Sequence, residues 1–218
     1  MQRTPFRYDP AHAALVLIDV QNDFCHPRGS LTKAGNDVSA AIAMVPRLVE
    51  LVECARNARV PVIFVRTHHD ETNDSPQWLA RRSAGPDALG PALTCRTGTW
   101  GADFYQVEPL PGETVITKHR YSAFVGTSLD LILRTRGIRS LLFAGVVTEI
   151  CVESSVRDGL FAEYYVSMID DCTASYSAAR HTASIDVIGE HFGTIIGSDR
   201  LIEVWNSTSI TVANDRTG

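Results

Sequence analysis

The chain has 218 residues, 44% of them hydrophobic, and a formal net charge of −5, which allows a full core around a central sheet and excludes the broad basic surface that nucleic acids require. The N-terminal MQRTPFRYDP lacks an apolar signal core, no run of about 18 apolar residues occurs, and the 5 cysteines contain no C-x-x-C pair, which argues against a disulfide framework. The expectation is one soluble, cytoplasmic domain over residues 1–218, with neither a membrane nor a nucleic acid as partner.

In chain order, the run ALVLID predicts a strand over 14–19 that closes on its only charged residue, Asp19. Val45, Leu48, Leu51 and Val52 recur at helical spacing and predict a helix over 38–58, followed by a second strand over 60–66. Segment 67–111 is rich in Pro, Gly and charge and too long for an ordinary crossover. It is read as substrate-facing loops that either cover a pocket or reach across a subunit boundary. A third strand over 114–117 precedes Lys118, and a helix over 128–135 leads to a fourth strand over 140–144. A helix over 149–160, a fifth strand over 163–169, a helix over 178–192 and a last strand over 193–196 complete the alternation. The tail from about 206, NSTSITVANDRTG, is polar and is expected to be poorly ordered, without function. Strand-length apolar runs alternating with helical periods define the α/β class, a doubly wound three-layer α/β/α arrangement with a parallel sheet.

In such sheets ligands bind beyond the carboxyl ends of the strands, where strand order reverses. That rule gathers Asp19, Lys118 and residues 145–151 at one edge. Taken singly, each has an ordinary explanation: a strand-end carboxylate, a solvated lysine, a buried cysteine. Cys151 stands in GVVTEICVESSVRDG, where Thr148 is expected to cap a helix and place the thiol in its first turn, which favours thiolate. Together the three groups make chemical sense, because a carboxylate can accept the thiol proton while an ammonium stabilises the resulting charge.

The tracts LVLIDVQNDFCHPRGSL, ITKHRYSAF and GVVTEICVESSVRDG, in this order, resemble the isochorismatase-like cysteine hydrolase superfamily over nearly the whole chain. The resemblance implies a six-stranded parallel sheet and a catalytic triad at Asp19, Lys118 and Cys151. It also implies a non-proline cis peptide at Val146–Val147 and an oxyanion hole formed by the backbone N–H groups of Val147 and Cys151. PRGSLTKAGNDVS, KHRYSAF, LILRTRGIRSL and CVESSVRDG resemble the ureidoacrylate amidohydrolases most. This implies a cofactor-free hydrolase that cleaves a C–N amide bond of a small ureido or carbamoyl compound, releasing ammonia through a Cys151 thioester, and a homo-oligomer, dimer or tetramer. Biuret, N-carbamoyl amino acids, maleamate and nicotinamide are alternative substrates. Vinyl-ether cleavage of the isochorismatase type is a rival reaction, and a non-catalytic interaction module or thiol sensor is a rival class. His119 replaces the proline of the ureidoacrylate enzymes, and Asn22-Asp23-Phe24 replaces their Asn-Ala-Tyr, so the reaction is better defined than the substrate.

Asn22, Phe24, Trp100 and Tyr121 are the candidate substrate-binding residues, since flat amide-like ligands suit aromatic walls with a few polar groups. Arg66 and Arg120 are candidates for a carboxylate contact, with ion pairing inside the protein as the competing role. Nicotinamidases carry a metal-binding Asp-x-His after the second strand, whereas here the stretch reads VRTHHDETN. Arg66 replaces the aspartate, and His68 and His69, as neighbours on extended chain, point apart. No metal is therefore expected, and these histidines are read as polar loop residues. Cys25 and Cys172 are read as structural.

Overall fold

The strand β1 (Ala13–Ile18) is buried at every residue, as a strand covered by helices on both faces must be. In the computed structural model, which describes residues 6–81 and 94–214, β1 pairs in parallel with β2 (Val62–Thr67) on one side and β4 (Ser140–Val146) on the other. With β3 (Thr114–Lys118), β5 (Tyr165–Ala174) and β6 (Thr194–Ile196), the six-stranded sheet has the order β3-β2-β1-β4-β5-β6. All pairings are parallel. Strand order reverses between β1 and β4, so the crevice between their carboxyl ends is where a ligand is expected.

Alternate residues along β1 serve opposite cores. Leu15 and Leu17 pack with Leu48 and Leu51 of α3 (Ser39–Asn57) and with Leu201 and Trp205 of α8 (Ser198–Asn214). Val16 and Ile18 pack with Leu129 and Leu133 of α5 (Leu129–Thr135), Val156 of α6 (Glu153–Phe161) and Ile188 of α7 (Ala178–His191). The expected helices therefore fall in place on both faces. The short α1 (Asn22–Cys25), α2 (Ser30–Lys33) and α4 (Pro76–Ala80) were not expected, being too brief to show a helical period.

Several expectations need correction. Lys118 is the last residue of β3 rather than the one after it, and Cys172 lies within β5, which runs on to Ala174. The tail expected to be poorly ordered continues α8 as far as Asn214. Buried Leu201, Val204 and Trp205 hold this helix to the sheet, and the Trp205 indole N–H donates to Tyr8 O at 2.9 Å. Its Ser and Thr residues, weak helix formers, hid the helix from a propensity reading. Of segment 67–111, residues 82–93 lie outside the described residues. The described flanks are tied back by isolated bridges, Gln21 to Phe104 and His69 to Arg96.

Gly145 permits the close approach of the two switch-point strands. Its φ is 113°, and a Cβ there would lie 2.1 Å from Ile18 O, the carbonyl of its register partner on β1. Gly145→Ala is expected to destabilise the fold by about 3 kcal/mol through backbone strain and collision. A urea midpoint equal to that of the unaltered protein would contradict this.

Candidate active site

Asp19 follows β1 with φ at 53°, a left-handed conformation that aspartate tolerates better than most residues and that takes its side chain out of the strand alternation. Asp19 and Lys118 are both essentially inaccessible, at 0% and 1%, and Lys118 Nζ lies 2.7 Å from Asp19 Oδ2. Two charges this deep persist only when they are paired and the remaining hydrogen-bonding capacity is met. Thr67, at the end of β2, supplies part of that: its hydroxyl donates to Asp19 Oδ1 at 2.9 Å and accepts from Lys118 Nζ at 2.7 Å. Lys118 donates again to Arg120 O at 3.1 Å. Thr67 is in turn held by Gln21, whose amide oxygen accepts from Thr67 N at 2.7 Å and whose amide nitrogen donates to Thr67 O at 3.0 Å and Ala102 O at 2.7 Å. Asp19 Oδ2 lies against the ammonium and makes no other contact of hydrogen-bond geometry to the described residues.

Cys151 lies in a π-helical turn, Thr148–Val152, that precedes α6, rather than in the first turn of a regular helix. Thr148 is not a side-chain cap. Its hydroxyl lies 2.9 Å from His181 Nδ1, and His181 Nε2 lies 2.9 Å from Asp170 Oδ1. With Nε2–H donating to the carboxylate, Nδ1 accepts from Thr148 and anchors the turn to α7. The Val146–Val147 peptide is cis. The Ser155 hydroxyl donates to Cys151 O at 2.7 Å and accepts from Ala123 N at 3.0 Å, fixing the carboxyl side of the same turn.

The thiolate expected at Cys151 is not favoured here. Burial pushes the thiol up to about 12; Lys118 works in the opposite direction, while the Asp19 carboxylate adds to the rise. Burial also works against the Lys118 charge, but Asp19 and Cys151 outweigh it and hold the ammonium above its usual range. All five cysteines are buried and unpaired, and burial raises Cys25 and Cys172 to about 12 as well. What distinguishes Cys151 is its side-chain interaction with both Asp19 and Lys118. A thiol whose pKa is raised stays protonated through neutral pH. The ultraviolet difference between this protein and Cys151→Ser should therefore show no thiolate step between about pH 5 and 9. A step near neutrality would overturn the assignment of a resting thiol.

One cavity connects these groups: Thr67, Lys118, Val147 and Cys151 line it together with Phe24 and Tyr121. Two expected substrate-binding residues are not among its lining residues. Asn22 is buried and donates to Trp100 O at 2.8 Å, and Trp100 is 45% exposed, packing edge-on against His26 with Arg28 over its ring. The 3-10 turn Trp100–Ala102 sets that direction, which sequence spacing does not reveal. Arg66 is also outside the cavity lining and donates to Thr117 Oγ1 at 3.1 Å, whereas Arg120 lines it. Trp78, Arg81, Glu149 and Arg180 line it as well and went unrecognised in the sequence. His69, read as a polar loop residue, is a buried lining residue, and burial lowers its pKa to about 4. His68 makes a separate contact, its carbonyl lying 2.7 Å from His119 Nδ1. Among the described residues no cluster of three His, Cys, Asp or Glu side chains is arranged to hold a metal ion, and no helix is long and apolar enough to cross a membrane.

A parallel sheet with a thiol, a carboxylate and an ammonium gathered at its switch point is the plan of an α/β hydrolase built around cysteine. The chain belongs to the isochorismatase family, its residues 13–200 matching the isochorismatase domain. It is 36% identical over 181 residues to a ureidoacrylate amidohydrolase of Caulobacter segnis, covering 78% of this chain and 75% of that protein. With the ureidoacrylate amidohydrolase of Azorhizobium caulinodans the identity is 39% over 172 residues, covering 73% and 75% respectively. The crystal structure of a cysteine hydrolase from Pseudomonas syringae pv. phaseolicola superposes with a TM-score of 0.80 at 25% identity, over 95% of this chain and 99% of that one.

Proposed function

We propose that this chain is a cysteine amidohydrolase that cleaves a C–N amide bond of a small ureido or carbamoyl compound and releases ammonia. The observation that carries the reading is the buried Asp19–Lys118 pair in contact with the Cys151 thiol. The naming of its relatives as ureidoacrylate amidohydrolases supports the compound class. Asp19 takes the thiol proton as Cys151 attacks the carbonyl carbon, so thiolate forms only as the new bond does. Lys118 remains an ammonium throughout, orienting the carboxylate and stabilising charge on sulfur. The backbone N–H groups of Val147 and Cys151 hold the tetrahedral oxyanion. As the C–N bond breaks, Asp19 returns the proton to the leaving nitrogen and ammonia departs. Water then gives a proton to Asp19, adds to the thioester carbonyl and releases the acid, and the sulfur recovers its proton. Phe24 and Tyr121 wall the substrate.

The reading includes a single catalytic unit over residues 1–218. Free thiols at all five cysteines support a reducing, cytoplasmic setting. The reading also includes a homo-oligomer, dimer or tetramer.

An ammonia-release screen tests the function, using ureidoacrylate, N-carbamoyl amino acids, biuret, maleamate and nicotinamide. Ureido compounds should rank first. Preference for nicotinamide, or pyruvate formed from isochorismate, would overturn the assignment.

A further inference from the structure

His69 is a buried base that neither half of the proposed chemistry employs. It is 3% exposed, and its main chain is clamped on both sides: His69 N donates to Cys95 O at 2.9 Å, and Thr97 N donates to His69 O at 3.0 Å. The ring lies tilted against Trp78, the two centres 5.6 Å apart. Nδ1 faces two oxygens, Asn73 Oδ1 at 3.4 Å and Asp74 Oδ1 at 3.7 Å. Asn73 presents its oxygen there, because its Nδ2 donates to Asp70 Oδ1 at 2.7 Å. Asp74 is anchored in turn by Arg96. With acceptors on that side, the ring hydrogen belongs on Nδ1. Nε2 then carries a lone pair, and it has no hydrogen-bond partner among the described residues. Burial lowers the pKa to about 4, and Lys118 and Arg81 add to the fall against Asn73 and Asp74, so the imidazole is neutral at neutral pH.

Alternate residues of an extended chain point to one side. Thr67 and His69 both line the cavity with Lys118 and Cys151, and His68 between them does not. Pairing with β3 carries on past Thr67, since His68 N donates to Lys118 O at 3.1 Å. The imidazole therefore shares a wall with the Thr67 hydroxyl, which bonds both Asp19 and Lys118. A water that attacks an acylated Cys151 needs two acceptors, one for the proton it gives up and one for the hydrogen it keeps. Lys118, Arg81, Arg120 and Arg180, which also line the cavity, offer donors only. Glu149, the other strong acceptor of the lining, belongs to the nucleophile's own turn, whereas His69 stands on the wall of the base.

We infer that His69 Nε2 holds the hydrolytic water during deacylation, accepting the O–H that stays intact while Asp19 takes the proton from the O–H that breaks. The water oxygen bonds the thioester carbon, the C–S bond breaks, and Asp19 returns its proton to sulfur. The intact O–H becomes the hydroxyl of the acid product. His69 is thus a catalytic residue of the second half-reaction, and Asp74 is the positioning residue that fixes its tautomer. The inference rests on the proposed acyl transfer through Cys151.

4-Nitrophenyl acetate separates the two half-reactions on the full chain. Acylation of Cys151 releases 4-nitrophenolate in a burst, and hydrolysis of acetyl-Cys151 sets the steady rate. His69→Phe keeps a ring against Trp78 and removes both nitrogens. Its burst should persist, while its steady rate falls about 10- to 100-fold and acetyl-Cys151 accumulates, read by peptide mass. His69→Gln returns an amide oxygen close to the place of Nε2 and should recover part of that rate. Hydroxylamine, a stronger nucleophile that needs no such acceptor, should cleave the acetyl-enzyme of His69→Phe as fast as that of the parent. Equal steady rates in His69→Phe and the parent, or a loss that hydroxylamine shares, would overturn the role of His69 alone. A parent that shows no burst and an unmodified Cys151 would overturn the acyl transfer, and this inference with it.

Discussion

Cys151→Ala should lower ammonia release by about 10⁴-fold or more while the protein remains folded. The thiol is the only group that the proposed chemistry bonds to substrate, so its removal leaves binding and oxyanion stabilisation without a nucleophile. Cys151 is 6% exposed in the core that also holds Val152 and Val156. Losing one sulfur atom there costs about 1 kcal/mol of packing, well short of what unfolds a domain. Cys151→Ser separates volume from reactivity. The hydroxyl fits the same space, but it is far harder to deprotonate with Asp19 as base, so activity should fall almost as far as in the alanine variant. Steady-state turnover and melting temperature, measured on both variants, check the expectation. Wild-type turnover in either would remove Cys151 from the mechanism.

Lys118→Met should abolish activity and also destabilise the protein by about 3–5 kcal/mol, because it leaves the Asp19 charge buried without its partner. Asp19→Asn should do the same from the other side, stranding an ammonium that is 1% exposed. The double variant Asp19→Asn with Lys118→Met removes both charges. It should recover most of the lost stability and none of the activity, since neither a base nor a cation remains beside the thiol. Urea unfolding of the four proteins forms a double-mutant cycle. Single variants as stable as the parent would show that the pair is solvated, and a double variant no more stable than the worse single would remove the coupling.

Some of this site was legible in the sequence and some was not. Asp19 stands out because it is the only charge at the end of an otherwise apolar strand, and Lys118 because it follows another expected strand; topology brings both to the carboxyl edge of the sheet. The doubly wound class followed from the alternation of apolar runs with helical periods, and the boundaries of α3, α5 and α7 fell within a residue of expectation. Thr67 and Gln21 had no such signal. Their roles arise only when β2 pairs with β1 and the end of β2 meets the loop after β1. Trp100 was assigned to the pocket on chemical type alone, and a 3-10 turn directs it elsewhere. Arg81, in a long irregular segment, showed no periodicity and acquired meaning from the Trp78 and Tyr121 rings that hold it. The thiolate expected at Cys151 is opposed by electrostatics: burial and a neighbouring carboxylate outweigh the lysine. That outcome makes Asp19 more important, because a resting thiol needs a base.

The most direct test of acyl transfer through Cys151 is a single-turnover reaction with enzyme in excess, acid-quenched at successive times and followed by mass spectrometry of the peptide containing Cys151. The account predicts a transient adduct on that cysteine with the mass of the substrate less ammonia, rising as ammonia appears and decaying as the acid product forms. Complete consumption of substrate with Cys151 unmodified at every quench time would contradict it.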